Sequence, residues 1–168
     1  MDEQRWSDAV HEAGHAVVRW RLDGSTGAVT IEPDEPGKAG KAEVPLLPSS
    51  LLKGTKPFAH ADYNAEELAA IDDYIRRGFA GVVAEQRVSG RSLDQLLGRS
   101  DIGDTYGIAR SYWPDEGTAA DGRADRLISD VERLVDEQWQ RIERLARVLY
   151  ERGTLTAAEV GAVLSAVS

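Results

Sequence analysis

The sequence predicts an α+β fold, mainly α-helical, with a small β-hairpin or sheet packed against a helical bundle. Three observations lead there. Most of the chain carries apolar residues at helical spacing, and one short β-branched run alternates near Ala28. A length of 168 residues with 42% hydrophobic content is also enough to bury one core, so residues 1–168 read as a single domain.

The first helix is expected from Ser7 to Leu22, with Val10, Ala13, Val17 and Trp20 as its apolar stripe and Asp23-Gly24 as its stop. Ala28 to Glu32 alternates as a strand, Pro33 to Gly40 is turn-rich, and Lys41 to Leu47 reads as a second strand ended by Pro48. Together they make a hairpin. Pro45 has no N–H to donate, which puts the second strand at the sheet edge, where a peptide can add. Ser49 to Tyr63 shows no period and reads as a loop.

Asn64 with Glu67 forms a capping box that opens a long helix to Val88. Its face of Leu68, Ile71, Ile75, Phe79, Val82 and Val83 marks it as the expected central core helix, and Gly78 and Gly81 allow another helix to approach closely. Ser92 to Leu97 reads as one short turn, and Ser100 caps a helix through Trp113. Asp121 to Tyr150 contains one long amphipathic helix, and Thr156 with Glu159 opens a last helix to Leu164. Trp6, Trp20, Trp113 and Trp139 suit core and helix-contact positions better than a ligand cage.

Composition narrows the function. Zero cysteines exclude disulfides, thiolate metal sites and cysteine nucleophiles, so histidines and carboxylates are the protein ligands left for a zinc ion. A net charge of -9 argues against a nucleic-acid partner, whose phosphates draw affinity from lysine and arginine. Met1 to Ser7 is charged and no apolar run is long enough for a signal core or a membrane span, so no membrane contact and a cytoplasmic location are expected. Neither an internal repeat nor a low-complexity linker is present.

Against that background, His11-Glu12-Ala13-Gly14-His15 carries the chemistry. Histidines at i and i+4 lie one above the other on a helix, so two imidazoles can reach one Zn²⁺. Glu12 is poorly placed as a third ligand on that face but well placed as a base toward water. In a shuffled chain with this composition the pattern would arise roughly a few times in a thousand. Three residues are candidates to complete the ligand set. Glu85 is an acid on an otherwise packed helix, although an arginine-paired surface acid would fit that position too. Asp101 follows Ser100 at a helix start, where aspartate ordinarily serves the cap or the helix dipole. His60 lies in the aperiodic stretch, where a solvated loop histidine is the ordinary case.

These residues resemble the zinc peptidase domain of the FtsH family of ATP-dependent proteases. The resemblance rests on His11-Glu12-Ala13-Gly14-His15-Ala16-Val17-Val18, on Ala80 to Gly90, and on Ser100-Asp101-Ile102 followed by Ile108-Ala109-Arg110. It implies a zincin-like helix and a metal-site portion 1–122 before C-terminal helices 123–168. It implies Zn²⁺ held by His11, His15 and Asp101, with Glu12 as the general base of a zinc metalloendopeptidase. The strand Lys41-Ala42-Glu43-Val44 then corresponds to the substrate-side strand.

Departures are Gln86 in place of a second acid, Val82 and Val83 in place of smaller or basic residues, and Ser49 to Tyr63, which aligns with nothing in the family. The zinc motif begins ten residues after Met1, and no phosphate-binding G-x-x-x-x-G-K-S/T loop occurs. A stand-alone domain is therefore expected, acting on a flexible peptide or unfolded protein substrate or served by a separate ATPase partner. A homo-oligomer is among the assemblies the resemblance implies. The alternatives are a non-catalytic zinc-binding or scaffold protein, and a metal-dependent hydrolase of a non-peptide amide. Tyr106 and His60 have the chemistry of a second oxyanion stabiliser, although packing and solvation are their ordinary roles.

Overall fold

The structure is a computed structural model that describes residues 2–32, 41–42, 51, 63–96, 105 and 118–166. It is mainly helical, with a small three-stranded antiparallel sheet, as the sequence predicts. In chain order over the described residues, the elements are α1 (Glu3–Asp23), β1 (Val29–Thr30), β2 (Lys41–Ala42), α2 (Ala65–Ser89), α3 (Leu93–Leu96), α4 (Thr118–Glu137), α5 (Trp139–Arg152), β3 (Thr154–Leu155) and α6 (Ala157–Ser165).

Helix α1 begins before Ser7 because Asp2 caps it, its carboxylate accepting the Arg5 N–H at 3.0 Å. The helix ends at Gly24, whose φ of 73° is the left-handed turn expected at Asp23-Gly24. Every residue from Ala9 to Val18 is buried. The surrounded element is therefore α1, not the helix after Asn64. Alanine, glycine and valine keep α1 thin, so α2, α4, α5, β1 and β2 all pack on it. Helix α2 starts with the predicted Asn64–Glu67 capping box but buries only Ile71, Ile75 and then Phe79 to Glu85.

Strand β1 pairs antiparallel with β2 (Val29 opposite Ala42) and with β3 (Val29 opposite Leu155), giving the order β2-β1-β3. β2 lies at the edge, as Pro45 predicts, while residues 43–47 of the expected strand, Glu43 and Val44 among them, lie outside the described residues. The third strand extends the predicted hairpin. It forms because Gly153, at φ 77°, ends α5 and offers its carbonyl to the Ile31 N–H at 2.8 Å, bringing Thr154 and Leu155 alongside β1.

The single long helix expected over Asp121 to Tyr150 is two helices, broken at Gln138 (φ -103°, ψ 8°). Backbone hydrogen bonds bridge the break, from the Gln138 N–H to the Leu134 carbonyl and from the Ile142 N–H to the Gln138 carbonyl. Side chains hold it on both sides, with the Arg141 guanidinium donating to the Gln138 amide oxygen and Arg87 stacking on Trp139 at 4.4 Å. Trp20 likewise carries Arg141 on its ring, and Trp6 meets Tyr150 edge-on, so these three tryptophans make helix contacts as expected. Trp113 and the helix expected from Ser100 to Trp113 lie outside the described residues, apart from position 105. Among the described residues, no helix is long and apolar enough to cross a membrane.

Candidate metal centre

Ser7, His11 and His15 follow one another at four-residue intervals, one per turn, along the face of α1 that meets α2. The two helices come close enough for these side chains to span the gap because glycines stand at the crossing. A Cβ on Gly14 would lie 2.7 Å from the Ala80 carbonyl oxygen and from the Ala84 Cβ. A Cβ on Gly81 would lie 2.3 Å from His15 Nε2 and 2.7 Å from His11 Nε2. The expectation that Gly81 admits a neighbouring helix holds, and what it admits is the pair of imidazoles.

The Nε2 atoms of His11 and His15 are 3.1 Å apart, and the rings meet at 74° with centroids separated by 4.8 Å. Both outer nitrogens are engaged. His15 Nδ1 donates to the Arg77 carbonyl oxygen at 2.7 Å, an oxygen that can only accept. His11 Nδ1 donates to Glu85 Oε2 at 2.9 Å, and Glu85 Oε1 accepts the Ser7 hydroxyl at 3.0 Å. With both Nδ1 atoms carrying their protons, neutral rings turn two Nε2 lone pairs toward each other. That geometry calls for a positive charge between them, either a shared proton or a metal ion.

The surroundings fit a metal. His11, Glu12 and His15 are 3%, 4% and 6% exposed, and Glu85 is completely buried. Imidazole nitrogens suit zinc, and two buried acids beside them favour a cation at this place. A carboxylate and a backbone carbonyl on the outer nitrogens are the usual partners of metal-binding histidines, fixing tautomer and ring plane. A side chain at position 81 would enter the space before both Nε2 atoms, and glycine there adds none.

Glu85 is completely buried, not a surface acid, and its carboxylate meets His11 at Nδ1, on the side of the ring away from Nε2. Asp101, His60 and Tyr106 lie outside the described residues. Among the described residues no set of three or more histidine, cysteine, aspartate or glutamate side chains is grouped to hold a metal. Among the described residues, the fold brings together His11 and His15 of the predicted ligand set. Ser7 and the Arg77 carbonyl escaped the sequence reading. Ser7 had a usable signal in its four-residue spacing to His11, whereas a backbone carbonyl on another helix has none.

Arg77 also ties the helices together. Its guanidinium reaches Asp23 at 3.1 Å, across from the end of α1. Burial pushes the Asp23 carboxyl up, but hydrogen bonds from Ser25 and the charges of Arg77 and Arg19 more than offset this and hold it below the usual carboxylate range.

No family model matches the chain. Among curated proteins it is similar to the ATP-dependent zinc metalloprotease FtsH 2 of Symbiobacterium thermophilum, with 29% identity over 184 aligned residues that take in 98% of this chain. The chain spans 31% of that relative's length. The likeness is distant and takes in nearly the whole of this chain.

Proposed function

We propose that this chain is a zinc-dependent peptidase domain that hydrolyses peptide bonds in flexible or unfolded polypeptides. The observation that carries the reading is the buried pair of Nε2 atoms at 3.1 Å, with both outer nitrogens already donating. The similarity to a zinc metalloprotease supports it. His11 and His15 would hold the metal, with Asp101 as third ligand on the strength of the FtsH resemblance. Bound zinc would supply Lewis acidity toward water and the scissile carbonyl.

The chain's own residues supply the rest. Glu12, next to His11 on α1, takes a proton from the attacking water and returns it to the leaving nitrogen. Glu85 and the Arg77 carbonyl keep both imidazoles in the tautomer that presents Nε2. The edge strand Lys41–Ala42, with Glu43 and Val44 added on the strength of the FtsH resemblance, would hold the substrate backbone by strand addition. An unfolding partner would feed folded substrates to the site.

The test measures zinc per chain and cleavage of a dye-labelled unstructured polypeptide. The wild type should bind one zinc and cleave, and Glu12→Gln should keep the metal while losing about 100-fold or more of the turnover. Asp101→Ala should lower zinc occupancy. Stoichiometric zinc with equal, negligible turnover in wild type and Glu12→Gln would sink the peptidase reading and leave a zinc-binding scaffold.

A further inference from the structure

We infer that Ser7 and Arg91 are positioning residues that set the metal affinity of the site through Glu85, a role that rests on the metal-centre reading above. Glu85 is completely buried, and its two oxygens are used differently. Oε2 accepts from His11 Nδ1 at 2.9 Å, and Oε1 accepts from the Ser7 hydroxyl at 3.0 Å. Because Ser7 and His11 are one turn apart on α1, they grip one carboxylate from α2 as a fork, which fixes its plane.

Arg91 adds a charge on the same side. Gly90, at φ 66°, turns the chain after α2 so that Arg91 lies back along the helix, its Nη1 4.0 Å from Glu85 Oε1 and its Nη2 donating to the Gln4 side chain at 3.3 Å. A buried carboxylate is costly unless charge and hydrogen bonds compensate it, and Arg91 is the guanidinium that the described residues place against it.

This outer end is reachable from solvent. Trp6, Ser7, Val88 and Arg91 line a cavity of about 680 Å³ between the start of α1 and the end of α2, and Arg91 is 44% exposed. A continuous line therefore runs from an open surface through Arg91 and Ser7 to Glu85, then to His11 and its metal-facing nitrogen. Loosening the outer end frees the carboxylate to rotate, and the imidazole loses the partner that orients it.

The experiment reads zinc affinity by chelator competition and the visible spectrum of the Co²⁺-loaded protein, with no reference to turnover. Glu85→Gln should weaken zinc about 10- to 100-fold. Ser7→Ala and Arg91→Ala should each weaken it roughly 3- to 10-fold and shift the cobalt bands, with Arg91→Lys recovering most of the loss. In a Glu85→Gln background both effects should shrink below about twofold, because residues acting through one partner are not additive. If Glu85→Gln does not fold, the contrast between Arg91→Ala and Arg91→Lys decides. Wild-type affinity and an unchanged spectrum in Ser7→Ala and Arg91→Ala, or full effects that persist without Glu85, would overturn the inference while leaving the metal centre intact. A wild type that binds no zinc overturns the metal reading itself, and this inference with it.

Discussion

Where α1 crosses α2, the facing residues are Ser7, His11, Gly14 and His15 on one side and Gly81 and Glu85 on the other; where α5 packs on α1, it buries Ile142, Leu145, Ala146 and Leu149. Both contacts are buried, but their energetics run in opposite directions. Each fully buried leucine or isoleucine of α5 contributes on the order of 1.5–3 kcal/mol by leaving water. The polar crossing must desolvate a carboxylate and two imidazoles, and hydrogen bonds only offset that cost. One helix thus has a stabilising side and a functional side, and the first holds the second in place.

The largest effect that would break this division is a cavity on the apolar side. Leu149, on the helix that packs against α1, is completely buried, so Leu149→Ala should cost about 2–5 kcal/mol. Urea unfolding with zinc chelated should show the midpoint falling, while zinc bound per folded chain in the wild-type buffer stays at its original value. A loss of zinc affinity as large as the loss of stability would mean that the two sides of α1 are not separable.

The converse change belongs at the crossing. A Cβ on Gly81 would lie 2.3 Å from His15 Nε2, closer than any ordinary contact, so Gly81→Ala must turn an imidazole aside or part the helices. Overpacking of this kind costs about 1–3 kcal/mol in stability. Zinc affinity should fall at least about 100-fold, worth about 2.8 kcal/mol, because the methyl enters the space before both Nε2 atoms. Isothermal titration calorimetry alongside thermal melting separates the two. Intact zinc binding in Gly81→Ala would show that the metal does not sit where the paired nitrogens point.

How much of this was legible follows the same divide. Periodicity found α2, the Thr156 capping box announced α6, and the capping boxes at Asn64 and Thr156 were read residue for residue. The histidine pair was visible because four-residue spacing is a local property of a helix. Glu85 was recognised as unusual, but whether it faced Nδ1 or Nε2 depended on how two helices cross, which no spacing encodes. The Gln138 break was hidden for a related reason, since no proline or glycine marks it and the stabilising contacts come from Arg87 on α2 and from Arg141 one turn on. Strand β3 is two residues long, so it exists only through its pairing with β1.

The smallest effect tests whether a charge far from the crossing stays local. Glu159 caps α6, and its carboxyl is lowered from 4.5 to about 2 by the backbone N–H of Thr156, then by the Arg152 guanidinium and the Thr156 hydroxyl. A depressed acid stabilises the fold above its unfolded value and loses that contribution as pH falls through its folded value. The window is therefore from about 4.5 down to about 2. Glu159→Gln keeps an oxygen for the capping box but cannot ionise, so the wild type should be the more stable near neutrality and lose that advantage across the window. Chemical unfolding of both proteins at several pH values reads the difference, and salt should reduce the part due to Arg152. A difference equally large at both ends of the window would mean that the capping geometry, not the charge, carries the stability. A difference in zinc affinity would mean that even α6 reports on the crossing of α1 and α2.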